Sequence, residues 1–169
     1  MCIRDRDITT PILPTVVWSG DYSSHGLSIS DDGNRAYLAS GNDHGVLVLD
    51  VSEIQARAPD PQVYEIGTLS WPNQTIPQNA VPFTRDGQPY LLEIDEYSTD
   101  GDAGSVAAHG AVVGAGRIID ISDESNPVVV SDLRLAVHEP ENRDAIADDP
   151  GAQLPVLSLI HISEPTRPY

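Results

Sequence analysis

The chain has no lysine: all 9 of its basic residues are arginines, set against 26 acidic residues, for a formal net charge of −17 over 169 residues. A surface of that sign repels phosphate backbones and anionic bilayers, which excludes nucleic acid or an anionic membrane as the main partner. Arginine in place of lysine fits a GC-rich coding composition, and the acidity also fits salt adaptation; composition is the simpler account. Cysteine and methionine occur once each, as Cys2 and Met1, so no intrachain disulfide can form. No run of 18 apolar residues is present, so no spanning helix is encoded and no membrane insertion is expected. The P-loop, G-x-S-x-G and H-E-x-x-H patterns are all missing. Gly110 to Gly116 fails as a dinucleotide fingerprint, because Ile119 stands where the third glycine belongs and a strand-like run follows. What remains is a chain of one domain or part of one, with enough apolar residues (40%) for a packed core.

The two ends are unusual in a different way. Apart from the last base of each string, one choice of codons for Leu157–Ile162 is the reverse complement of one choice for Met1–Arg6. The pair resembles a translated transposase end from a sequencing library, and Ser163–Arg167 resembles the adapter that continues it. The expectation is that residues 1–6 and 157–169 are adapter-derived and are set aside from fold reasoning, leaving residues 7–156 as part of a longer protein. Setting them aside removes Arg4, Arg6 and Arg167 but only Asp5 and Glu164, so the remainder is more acidic still. It also removes Cys2 and His161 from any chemistry.

Turn signals punctuate the rest: Asp32-Gly33, Gly41-Asn42, Asp86-Gly87, Asp100-Gly101 and Ser125-Asn126-Pro127. Between them lie short runs rich in β-branched residues, such as Leu27-Ser28-Ile29, Ala36-Tyr37-Leu38-Ala39, Val46-Leu47-Val48-Leu49 and Val63 to Leu69, with one helical turn suggested after Ser52. Two stretches repeat the same order: a strand, an Asp-Gly turn, a strand, a loop, and an apolar strand closed by Asp-x-Ser at Asp50-Val51-Ser52 and at Asp120-Ile121-Ser122. Each is followed by a proline-containing link and another β-rich run. Four strands per unit is the pattern of a propeller blade. The expected fold is therefore all-β, a β-propeller fragment of about two four-stranded antiparallel blades, at about 25–69 and 76–135. Thr15 to Trp18 would be the outer strand of an earlier blade, and His138 to Pro155 a long loop toward a missing one.

Leu47-Val48-Leu49-Asp50-Val51-Ser52 and Ile118-Ile119-Asp120-Ile121-Ser122 resemble the LVIVD repeat of bacterial and archaeal β-propellers. Further stretches, among them His25-Gly26-Leu27-Ser28 and Gln55 to Val63, are similar to one LVIVD-repeat group, over roughly residues 16–151. The expected role is a binding or scaffold module, whose partner is an unidentified protein or small-molecule ligand along with the missing blades, and the resemblance implies export or display at the cell envelope. It supplies no reaction, and the cofactor stays unknown. The alternative is a propeller enzyme with a His/carboxylate site, with or without a metal, at the channel mouth; fold alone warrants no chemistry.

Aligning the units on their Asp-Gly turns puts His25 and Asn79 at the same blade position. His25, Asp43, His44, Asn79, Asp95, Glu96 and His109 are then expected around one mouth, where imidazole and carboxylate groups can hold a divalent metal or move protons. The competing account makes them solvated loop residues, with His25 bonded to backbone at a strand start. Asp95-Glu96 with Asp100-Gly101-Asp102 fails the EF-hand spacing and reads as an acidic loop tip. Asn73-Gln74-Thr75 has the form of a glycosylation sequon, a short pattern that recurs by chance. Asp50 and Asp120 are expected to fix turns by accepting backbone N–H bonds, and Trp18, Trp71, Tyr37 and Tyr90 to pack between blades.

Overall fold

A computed structural model describes residues 3–39, 44–71, 77–95 and 116–133. The fold they form is all-β. Two four-stranded antiparallel sheets follow one another along the chain. The first runs β3 (Gly26–Ile29), β4 (Arg35–Ala39), β5 (Val46–Asp50) and β6 (Tyr64–Leu69); the second runs β7 (Pro77–Arg85), β8 (Gln88–Asp95), β9 (Gly116–Asp120) and β10 (Val128–Leu133). In each sheet every strand pairs with the next one in sequence, which is the meander of a propeller blade. A single helical turn, α1 (Ser52–Gln55), follows β5.

The two sheets stack face to face. Tyr37, Ala39, Val46 and Val48 of the first meet Ala80, Leu91, Ile119 and Ile121 of the second, with Trp71 from the link between them in the same core. The continuous run Val46 to Leu49 is buried on both sides: its even positions join that core, and Leu47 and Leu49 join a second cluster with Ala36 and Leu38 on the opposite face. Two glycines allow the close approach. A Cβ at Gly26 would collide with the Gln78 carbonyl at the start of β7, and one at Gly67 would collide with the Glu124 carbonyl.

Asp50 and Asp120 do the same work in each repeat. Asp50 Oδ1 accepts the Ser52 N–H at 2.8 Å, and Asp120 Oδ1 accepts the Ser122 N–H at 2.8 Å. Registering the sheets on these two aspartates corrects the alignment made on the Asp-Gly turns. Arg35 lies opposite Asp50 and Tyr90 opposite Asp120, so Tyr37 corresponds to Leu92, and Asn79 corresponds to Gly26 rather than to His25. The cause is hairpin length. Asp86 and Gly87 form a two-residue turn, both with positive φ (51° and 79°), between paired Arg85 and Gln88. The first hairpin spans Ser30 to Arg35, with only Gly33 at positive φ. Identical dipeptides thus close turns of different size.

Before the first sheet, β1 (Ile3–Asp7) pairs antiparallel with β2 (Thr15–Gly20) in a separate two-stranded sheet. Thr15 to Trp18 is therefore a strand as expected, but its partner comes from the segment set aside on codon grounds. A ladder is made of backbone N–H and C=O groups, so a free strand edge accepts extended chain of many sequences.

Candidate functional site

The strand directions bring the starts of β3, β5 and β7 and the end of β8 to one end of the stacked sheets. His25 directly precedes β3, and its N–H donates to the Ala39 carbonyl at 2.9 Å. His44 precedes β5 and has Nδ1 3.3 Å from Ser70 Oγ. Asn79 lies near the start of β7, where its Oδ1 accepts the Ala80 N–H at 2.9 Å and the Ser28 hydroxyl at 3.2 Å, tying the two innermost strands together. Asp95 closes β8 opposite Pro77. Asp43, Glu96 and His109 lie outside the described residues, as do the acidic stretch expected as a loop tip within 96–115, the sequon, the 138–155 segment and residues 157–169. Among the described residues, no three His, Cys, Asp or Glu side chains are grouped to hold a metal.

Residues not singled out in the sequence dominate this end. Glu93 and Arg117 lie directly opposite one another on β8 and β9. They form an ion pair at 2.9 Å with the two side chains 0% and 3% exposed. Arg117 Nε is 3.6 Å from Asp132, and the guanidinium lies 4.4 Å from the centroid of the Trp71 ring. That ring rests on Gly45, where a Cβ would have no room. Two charges on an otherwise apolar strand face are a readable signal, but only once the repeats are registered on Asp50 and Asp120; the register then sets Leu38 and Leu47 against Glu93 and Arg117.

The opposite end, where the hairpins turn, holds a cleft of about 610 Å³ between the sheets, lined by Asp31, Asp32, Arg35, Asp50, Thr84 and Glu124 among others. Its polar groups are turned on one another. Arg35 Nε donates to Glu124 Oε2 at 2.6 Å, and Arg35 Nη1 lies 3.3 Å from Asp50. The Tyr37 hydroxyl donates to Glu124 Oε1 at 3.1 Å. Burial pushes that hydroxyl far above the usual phenol range and the Glu124 charge adds to it, so it stays a donor. The cleft is thus a braced seam in which Glu124 of the second sheet grips Arg35 and Tyr37 of the first.

Asp32 illustrates the local electrostatics. It accepts hydrogen bonds from the Ser30 hydroxyl at 2.6 Å and from the Asn34 N–H at 3.0 Å. These bonds lower its carboxyl from 3.8 to about 2. A group depressed on folding stabilises the folded state fully above its unfolded pKa, and that contribution fades as pH falls through the folded value. In Asp32→Asn, the stability deficit relative to the parent is therefore expected to be constant at neutral pH, to shrink below about pH 4 and to be largely gone near pH 2. Denaturant melts across that range measure it, and a deficit that does not change with pH refutes the assignment.

No protein-family model matches the chain, and no curated protein matches it either.

Proposed function

We propose that the chain is two adjacent blades of a longer β-propeller of the LVIVD-repeat kind, working as a binding or scaffold module, with residues 1–6 and 157–169 foreign to it. The observation that carries this reading is a repeat with one face left open among the described residues. The first sheet turns Tyr37 and Val48 toward the second sheet, where both are buried. The same positions of the second sheet are Leu92 and Ile118, by register. They share the far face with Val81, Phe83, Val128 and Val130, and Val130 is 52% exposed. Phe83 and Tyr90 stack on that face with ring centroids 5.5 Å apart. An open apolar sheet face calls for another layer, and a further sheet of the same repeat is the layer that the first interface already exemplifies. Ligand contacts are assigned to the end where β3 and β7 begin.

The 169-residue chain alone is accordingly expected to bind a hydrophobic-surface dye and to self-associate as concentration rises. Phe83→Ser with Val130→Ser should lower both effects while leaving the thermal midpoint nearly unchanged. Analytical ultracentrifugation and dye titration measure this. A dye-silent monomer that melts in one sharp transition overturns the proposal.

A further inference from the structure

Leu38 with Leu47, and Glu93 with Arg117, occupy the same two positions of the repeat, on the face that each sheet turns toward what precedes it in the chain. Both leucines are fully buried. The repeat therefore accepts an apolar pair there, and the ion pair of the second sheet is not a requirement of the fold. A buried ion pair is seldom more stabilising than apolar side chains of the same volume, while a charge buried without compensation is strongly destabilising. Such a pair confers discrimination: it tolerates one neighbour and penalises others.

The neighbour it tolerates is specific. Trp71 covers Arg117 with its π face, and the ring fits because residue 45 is glycine. The residue before Gly116, at the matching point of the second repeat, is Ala115. A sheet offering only aliphatic side chains would strip water from Glu93 and Arg117 and return no cation–π attraction.

We propose that Glu93, Arg117 and Trp71 form a key that admits the first sheet, seated through Gly45, and rejects other copies or registers of the repeat. This rests on the geometry of the two sheets alone and stands whether or not further blades exist. The decisive variant is Glu93→Leu with Arg117→Leu, which copies the first sheet's pair into the second. In the full chain it should fold with an unchanged or raised midpoint. Its Trp71 indole N–H, assigned by loss of the signal in Trp71→Phe, should then divide into more than one NMR resonance, with minor arrangements enriched about tenfold over the parent. Arg117→Leu alone should instead lower the midpoint. Trp71→Leu should show the same heterogeneity through its backbone amides, because it keeps the ion pair and removes the π face. A double variant with a single Trp71 resonance overturns the proposal. So does one that fails to fold or is as destabilised as Arg117→Leu, since either result makes the pair a plain stabilising contact.

Discussion

Replacing Trp71 by alanine is expected to lower the unfolding free energy by about 3–5 kcal/mol. The side chain is only 9% exposed and belongs to the core that joins the two sheets. Its ring fills the space above Gly45 and covers the guanidinium of Arg117. Truncation leaves a void that a glycine cannot relax into, and it uncovers a buried charge. Trp71→Phe separates these effects. Phenylalanine keeps an aromatic face toward Arg117 but removes Nε1, which has no hydrogen-bond partner among the described residues. Losing a buried, unpaired donor recovers about 1–3 kcal/mol of desolvation, which offsets much of the lost ring area. The phenylalanine variant should therefore lie well above the alanine variant in urea titrations. Equal destabilisation by the two would show instead that the site needs the complete indole, Nε1 included, and that an aromatic face alone contributes nothing.

The strands and the repeat were legible because both are written in local chemistry. Alternating or continuous apolar runs, bounded by Gly, Asp and Pro, marked the eight strands of the two sheets, and the Asp-x-Ser closures marked where each unit repeats. Partner identity was harder to read. Alternation says which residues share a face, but not which faces meet. Glu124, on an exposed-looking turn, gave no local sign that it reaches Arg35 and Tyr37 of the preceding sheet. The Asp-Gly dipeptides misled the register because turn type depends on how the flanking strands pair as well as on the dipeptide. The error propagated: Tyr37 and Tyr90 look equivalent in sequence, yet Tyr37 is 4% exposed in the core between the sheets while Tyr90 stacks on Phe83 on the open face. The candidate mouth was legible as a position, since strand order alone carries His25, His44, Asn79 and Asp95 to one end of the sheets. The groups buried there were not, because Glu93 and Arg117 become notable only beside Leu38 and Leu47.

Adjacent residues on β8 offer the most direct test of which faces are in contact. Leu91 is fully buried and packs between the sheets. Leu92 points the other way, as successive strand residues must, onto the face shared with Val81 and Phe83. Leu91→Ala should therefore cost about 2–5 kcal/mol. Leu92→Ala should cost clearly less, because that side chain is only half-buried in this chain and keeps part of its apolar area in contact with water. Urea unfolding of the two variants gives the ratio. Comparable losses would mean that the far face is covered in solution, by a second molecule if the Leu92→Ala loss grows with protein concentration and by the chain itself if it does not. In a polypeptide that carries a further sheet, the same Leu92→Ala change should rise to the cost of Leu91→Ala, since Leu92 then takes the place that Tyr37 has in the first interface. The asymmetry in the two-sheet chain and its disappearance in the longer one follow from a single physical premise: each sheet of the repeat buries one face on its predecessor and the other on its successor.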